Sequence, residues 1–378
     1  AKPETQKYIP IAKALANQLL DMAEQFIKET DAATFAVNLN DQGIATSLMA
    51  EFQPTSSLGL KVAQLKGTEQ PLLNGLPDEK YLFVGGYAVD PKVAGKIAAD
   101  LLDPIVKELA TLGEDAAPFQ AMADAIKQQI AATSSASMGM VAPEGMLGQA
   151  SLVQVVGVLR GDAKAIRDAS RKQFQSQEQV MNMFAGQAGQ MTTTYTANAK
   201  TVDGIALDQF KSQLNLDPQT PEAAQAQQAL TMMYGPNGMT GYVGVLDDKT
   251  LISAAGVSDE LLAGALTAAK AGNDTVGARQ NIKAVAAQLP ANRLAVWYIP
   301  LDVLVSTGLN YARQMGMQMQ LQLPPDQPPI GMAVATQGNA LGVESFIPAE
   351  LVQNLVAAGM QIMMQMKGGG GAGGPGGL

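Results

Sequence analysis

The stretch "LPDEKYLFVGGYAV", residues Leu76–Val89, decides the fold class because it places turn-forming residues directly before an apolar strand. A second stretch, "LPANRLAVWYIPL", residues Leu289–Leu301, has the same arrangement in the second half of the chain. Each begins with Leu-Pro and continues into residues that favour a strand. This recurrence predicts that the chain contains two versions of one structural unit.

Two hairpin patterns recur in the same order around these stretches. The first, "TFAVNLNDQGIATSLMAEF" from Thr34, matches "GYVGVLDDKTLISAAGV" from Gly241, since both alternate around a polar turn. The second, "VAPEGMLG" at Val141–Gly148, matches "VATQGNALG" at Val334–Gly342, and a helical pattern follows each. We therefore predict an α+β fold, a tandem duplication of a ββα-βα-ββα unit with two antiparallel sheets, each covered by helices. The alternative is chance similarity among common hairpins.

The same patterns predict how the chain is divided. A chain of 378 residues is longer than one hydrophobic core usually supports. We predict an N-terminal amphipathic helix at 1–30, repeat domain 1 at 31–185, a connector at 186–238, repeat domain 2 at 239–367 and a glycine-rich tail at 368–378. The connector should hold a further hairpin and a helix. The tail has nothing to pack, so we expect it to be disordered by itself.

Composition excludes several functional classes. The chain has no Cys and no His, which removes thiolate nucleophiles, imidazole acid–base catalysis, Cys/His zinc sites and disulfides. It also lacks a P-loop, a nucleophile elbow and a dinucleotide loop between strand and helix. The net charge of −9 disfavours nucleic acid, and no apolar run reaches the length of a membrane span. We predict a non-enzymatic protein with no cofactor, and the lack of Cys favours an exported location.

Methionine is enriched, with 20 residues that fall in clusters along the chain. Thioethers are soft ligands that suit Cu(I), yet the usual His or Cys co-ligands are missing. Methionine is also an adaptable filler of irregular apolar surfaces. We therefore predict no metal site and interpret the methionines as parts of apolar surfaces.

Two methionine-rich segments are candidates for a contact surface. The stretch "ELVQNLVAAGMQIMMQM", Glu350–Met366, carries apolar residues along one helical stripe. The alternative is a helix that covers its own sheet. The stretch "MQMQLQL", Met317–Leu323, alternates apolar residues with Gln, as an exposed edge strand would. The predicted contact residues are Leu351, Val352, Leu355, Val356, Ile362, Met363, Met366, Met317, Met319 and Leu321.

The succession of elements resembles that of a loose group of exported bacterial proteins of unknown function. The resemblance covers Thr34 to Met366 and is carried by "LPDEKYLFVGG", "VDGIALD" and "GNALGVESFIP". It implies a location in the periplasm, the cell envelope or the extracellular space, and it brings no active site to this chain.

Three functional hypotheses follow from the sequence. The first is an exported protein that acts by binding or assembly, through a protein partner or self-association. The second is a periplasmic carrier or chaperone that holds an apolar small molecule between the repeats. The third, and the weakest, is an enzyme that uses only carboxylates, Lys, Tyr or Ser.

Overall fold

The computed structural model describes residues 9–110, 117–143, 145–146, 151–185, 189–216, 221–236, 238–317 and 323–368. Helices and strands alternate through these ranges. The helices are α1 (Ile9–Glu29), α2 (Ser57–Gln64), α3 (Pro91–Leu109), α4 (Ala117–Ala132), α5 (Ala163–Ala185), α6 (Pro221–Tyr234), α7 (Asp259–Ala271), α8 (Gln280–Ala286), α9 (Leu301–Gln314) and α10 (Ala349–Gly368). The strands are β1 (Thr30–Asn40), β2 (Gly43–Phe52), β3 (Tyr81–Ala88), β4 (Thr133–Val141), β5 (Gln154–Gly161), β6 (Gly189–Val202), β7 (Ile205–Leu216), β8 (Met239–Asp247), β9 (Thr250–Ala255), β10 (Ala295–Ile299), β11 (Ile330–Gln337) and β12 (Ala340–Pro348).

Turn residues define the short hairpins, and the strands of each predicted hairpin pair with each other. The turn predicted in VAPEGMLG lies partly outside the described residues. In the β1–β2 turn, the Asn40 side chain accepts hydrogen bonds from the backbone N–H groups of Gln42 and Gly43, at 2.9 and 3.1 Å. The β6–β7 turn places Asp203 and Gly204 at φ 49° and 78°, a left-handed pair that favours a tight hairpin. Short polar turns therefore determine much of the local structure of the chain.

All twelve strands form one antiparallel sheet, so the prediction of two sheets is wrong. Their order is β1-β2-β12-β11-β10-β3-β4-β5-β9-β8-β7-β6. The two Leu-Pro stretches lead into β3 and β10, which pair with each other at the junction of the two halves. Strands of the two halves also pair at two other places, because β2 pairs with β12 and β5 pairs with β9. An alternating pattern specifies the two faces of a strand but not the neighbour that it pairs with.

The strand order has an internal symmetry. When β1 is exchanged with β8, β2 with β9, β3 with β10, β4 with β11 and β5 with β12, the order of these ten strands reads the same from either end. The β6–β7 hairpin lies outside this pattern, at one edge. Such an order agrees with a twofold relation about the β3–β10 pair, and the tandem duplication stays a prediction.

One face of the sheet carries the main core. Its buried side chains include Val156 and Ile252 from the sheet and Leu262 and Leu266 from α7. The segment before β3 also crosses this face closely, since a side chain on Gly86 would stand 1.9 Å from the carbonyl oxygen of Leu72. We call this the covered face. Burial of so much apolar surface is the main source of stability.

Helices cover the opposite face only in part. Helix α5 packs Ala163 and Ile166 against Phe210, Val243 and Leu251, which lie on β7, β8 and β9. Helices α3, α4 and α5 pack mainly against each other, and α3 also against α1. Helix α2 packs against β2 and β12 near the end of the chain's first hairpin. Between these two regions the sheet has little helical cover.

Pro104 does not end the helix that contains it. It lies inside α3, which continues to Leu109. Proline removes a helical hydrogen bond and usually kinks or ends a helix. Helix α3 also packs closely on α4, because a Cβ on Gly95 would approach Ala131 Cβ to 2.9 Å.

Candidate functional site

A row of residues crosses the less covered face of the sheet from β1 to β5. Residues directly opposite each other on antiparallel strands project from the same face, so the register of the strand pairs defines this row strand by strand. Its central members are apolar or small. The row runs through Val37, Thr46, Ser345, Met332, Trp297, Gly85, Met138 and Gly157.

A second row lies two residues further along each of the same eight strands. Here every member is apolar, and most are Ile or another large residue. Pairing and alternation place them on the same face as the first row. The row runs through Leu39, Ile44, Ile347, Ile330, Ile299, Phe83, Met140 and Val155. We call the two rows together the open face.

Solvent reaches the open face. Leu39 is 71% exposed and Val37 52%, and nearby Phe35 is 68% exposed. Met138, at the other end of the first row, is 43% exposed. The remaining large side chains of both rows are half-buried, and in the described structure none of the sixteen residues belongs to the packed clusters beneath the helices. Exposed apolar patches often mark interaction or ligand-binding surfaces, so the open face is a candidate functional site.

Trp297 occupies the centre of the open face. Its indole ring lies over Gly85, because a Cβ on that glycine would stand 2.2 Å from Trp297 Cδ1. The side chain is half-buried, whereas the next residue, Tyr298, projects into the core of the covered face. Alternation along β10 thus sends the two aromatic residues to opposite faces, as expected for a strand. Trp297 is also the only tryptophan of the chain, so it reports on this site alone.

The predicted contact residues divide into several groups. Leu351 is buried and cannot form part of an exposed surface, and Val352 is half-buried. Leu355, Val356 and Met317 are exposed, at 39%, 51% and 46%. The side chains of Ile362, Met363 and Met366, and residues Met319 and Leu321, lie outside the described residues.

The first turns of α10 are held at the end of the sheet by polar contacts. The N–H of Ala349 donates to the carbonyl oxygen of Gln42 at 2.9 Å. Buried Gln327 donates to Glu350 at 3.4 Å and accepts a hydrogen bond from Asn354. These contacts secure the start of α10 and leave Leu355 and Val356 facing solvent.

Among the concave regions outside the open face, two bear on the predictions from the sequence. The larger, of about 780 Å³, is mainly polar and is bordered by α9 and the ends of β4 and β8, with Glu79, Lys80, Ser306 and Asn310 in its lining. The smaller, of about 290 Å³, lies among α5, α6 and β6 to β8 and is lined in part by Met181, Met191, Leu214, Leu230 and Met239. The second shows that methionines do gather around an apolar space, as their clustering in the sequence indicates.

The buried polar groups described next have structural roles in this fold. Tyr195 donates to Asp208, which also accepts from the N–H of Asn198 at 2.9 Å. Burial, followed by the neighbouring carboxylate of Asp208, raises the pKa of Tyr195. Asp302 has a buried oxygen without a hydrogen bond, and it lies in the first turn of α9, where a carboxylate is favoured. Within the described ranges, no group of three or more acidic side chains is placed to hold a metal ion.

Comparison with known proteins returned no relative. No protein-family model, curated protein or solved structure matches this chain. Among the helices of the described ranges, none combines the length and apolar character needed to cross a membrane. Function is therefore inferred from the geometry of the chain itself.

Proposed function

We propose that this is a non-enzymatic binding protein that holds an apolar, chain-like ligand, such as an acyl chain, on the open face. The observation that carries this proposal is the pair of mostly apolar rows that cross eight strands, none of whose residues belongs to the packed clusters of the described residues. Both rows cross strands of both halves, and they change half at the β2–β12 and β10–β3 pairs. The ligand would therefore contact both halves of the chain.

The dimensions of the open face favour an elongated ligand. Neighbouring strands lie about 4.8 Å apart, so eight strands span roughly 34 Å across the rows. Compact ligands are usually enclosed in a pocket, whereas this surface is long and open. An extended hydrocarbon chain lying across the strands would contact the Ile, Met and Trp side chains in succession.

The chemistry of the open face favours a ligand bound by its apolar part. Neither row contains a charged residue, and Thr46 and Ser345 satisfy each other with a hydroxyl contact of 2.7 Å. Met138, Met140 and Met332 add flexible side chains that adapt to ligands of different shape. Burial of apolar surface, at roughly 25 cal/mol per Å², would supply the affinity.

An exported location is part of the same proposal. It is supported by the lack of Cys and by the resemblance to exported bacterial proteins. A carrier of apolar molecules through an aqueous compartment needs no catalytic group. The absence of Cys and His from the chain agrees with a role of that kind.

Trp297 fluorescence tests the proposal directly. A brominated fatty acid bound on the open face should quench the emission of this tryptophan in a saturable titration. Met332→Lys and Met138→Lys place a charge on the open face and should weaken binding at least tenfold. Leu304→Lys, at an exposed apolar position on α9 outside both rows, is the matched control. Equal quenching in all four proteins, or none in the wild type, would contradict the proposal.

A second candidate function is protein contact through α10. It is favoured by the solvent exposure of Leu355, Val356 and Met360 on a helix whose first turns are firmly held. Val356→Lys should then lower the molar mass measured by light scattering or abolish capture of a partner. Gln353→Lys, at an exposed polar position of the same helix, is the control.

We also infer that the two halves arose by tandem duplication. Support comes from the strand order, which is unchanged when equivalent strands of the halves are exchanged. Superposition of β3 to β5 on β10 to β12 tests this inference. A failure of these two sets of strands to superpose would contradict it.

A further inference from the structure

Strand β1 is an open edge of the sheet. It pairs with β2 on one side only, and all of its residues after Thr30 are exposed. In an antiparallel edge strand, alternate residues direct their N–H and C=O groups away from the sheet. From Ala32 to Asn40 the pairing with β2 is regular, so the outward groups form an even row. Such a row is a template for a further strand.

The usual protections of an edge are missing from β1. Its sequence, TDAATFAVNLN, contains no Pro, Lys or Arg, and its only charge is Asp31 near the start. The opposite edge, β6, is different. It has an irregularity between Thr196 and Lys200, a left-handed Asn198 at φ 50°, and the charge of Lys200. Bulges and edge lysines are the features that block strand addition.

We propose that β1 pairs with β1 of a second copy of this chain, antiparallel and centred on Val37. In this register, Val37 faces its own equivalent, and Phe35 faces Leu39 of the second copy. Six exposed apolar side chains then meet on the side of the open face. On the other side, Ala36 faces Asn38 of the second copy, and Thr34 faces its Asn40.

Charge also fits this pairing. Asp31 would lie opposite residue 43 of the second copy, beyond the end of its β1, so the two aspartates do not approach each other. Like charges directly opposite each other would destabilise a strand pair. The sequence of β1 is therefore complementary to itself, which favours a second copy over a strand of unrelated sequence.

Pairing through β1 would extend the proposed ligand site. Val37 and Leu39 begin the two apolar rows, so the open faces of both copies would meet at the shared edge. A ligand chain could then contact both copies. The dimer does not depend on ligand binding, since it rests on the backbone and side chains of β1 alone.

Cysteine cross-linking tests the register, and the natural lack of Cys makes each introduced thiol unique. Opposite residues have Cα atoms about 4.5–5.5 Å apart, within the range for a disulfide. Val37→Cys should therefore give a covalent dimer on mild oxidation. Phe35→Cys alone should not, because two such residues would lie four positions apart along the strand, about 14 Å. A mixture of Phe35→Cys and Leu39→Cys should cross-link between the two variants.

Thr194→Cys, exposed on the opposite edge, is the control for random collision. Light scattering provides the second measurement. The wild type and Thr194→Lys should have twice the mass of the chain, and Val37→Lys should be monomeric with an unchanged circular dichroism spectrum. A monomeric wild type at every concentration would overturn the proposal. So would cross-linking of Val37→Cys that is no faster than that of Thr194→Cys, or equal cross-linking of Phe35→Cys alone.

Discussion

Trp297 and Gly85 stand directly opposite each other on β10 and β3, and the indole ring occupies the space above the glycine. Any side chain at residue 85 would collide with that ring and with the carbonyl oxygen of Val296, 2.7 Å from the Cβ position. The glycine therefore fixes where the tryptophan lies. It also keeps the indole at the boundary between the two halves of the sheet.

Gly85→Ala should displace Trp297 and destabilise the fold. Overpacking of this kind costs roughly 1–3 kcal/mol. Tryptophan emission should shift to longer wavelength as the ring becomes more exposed, and the urea midpoint should fall. Gly157→Ala in the same row is the control, because a Cβ there meets nothing closer than 3.6 Å. Similar losses of stability in both variants would show that the Trp297–Gly85 contact is not the cause.

Glu29 should make the attachment of α1 depend on pH. Its carboxylate accepts a hydrogen bond from the N–H of Leu58 at 2.6 Å, and this bond lowers the pKa of Glu29 below its ordinary value of 4.5. A lowered pKa means that the stabilisation is present above pH 4.5 and is lost as the pH falls through the folded-state value. Hydrogen exchange at Leu58 should increase over that acid range.

Glu29→Ala should remove this acid dependence and lower the stability of the α1–α2 junction at neutral pH by about 1 kcal/mol, as for a lost helix cap. Glu24→Gln is the control on the same helix, since Glu24 pairs with Lys28 on the exposed side. If exchange at Leu58 has the same acid dependence in Glu29→Ala as in the wild type, another group controls the junction.

Glu344 should have the opposite effect on stability. Burial raises the pKa of Glu344 above its ordinary value of 4.5. Its contribution to stability is therefore complete below pH 4.5 and is lost as the pH rises through the folded-state value. Glu344→Gln should unfold at higher urea concentration than the wild type at neutral pH, and the difference should disappear in acid. A Gln variant that is less stable at neutral pH would contradict this reasoning.

Asp208 should be essential for the stability of the β6–β7 hairpin. Its carboxylate holds Tyr195 and Asn198, and the side chain is 4% exposed. Asp208→Ala should lower the free energy of unfolding by about 1.5–3 kcal/mol, the usual cost of losing hydrogen bonds to a charged group. Asp248→Ala, in the exposed β8–β9 turn, should change it by less than about 0.5 kcal/mol. Equal effects in chemical denaturation would rule out the proposed role of Asp208.

Local structure was predictable from the sequence because turn residues mark it. Asn40 and Gly43 end one strand and start the next, and Asp90-Pro91 begins α3. The pairing between halves was not predictable in the same way. Nothing in the alternation of β2 indicates that β12, almost three hundred residues away, is its neighbour. Local patterns therefore predicted the helices and strands, but they predicted two sheets where the structure has one.

The open face was also missed, for a related reason. An apolar residue in an alternating strand is expected to be buried, and the sequence does not say whether a helix covers that side. Ile299, Ile330 and Ile347 look like core residues in sequence, but they lie half-buried and outside the packed clusters of the described residues. The one available signal was the presence of apolar residues on both sides of β10, where Trp297 and Tyr298 stand next to each other.

The pairing of β2 with β12 determines when the sheet can be completed during synthesis. The β1–β2 hairpin leaves the ribosome well before its neighbour β12, which begins only at Ala340. At about 5–20 residues per second, the interval between Phe52 and Ala340 is roughly 15–60 seconds. The strands from β3 to β9 can assemble during this time. Phe35, Val37 and Leu39 on β1 meanwhile remain outside the completed sheet. The β1–β2 hairpin is thus made long before it can be incorporated, and the nascent chain needs protection from aggregation at that hairpin.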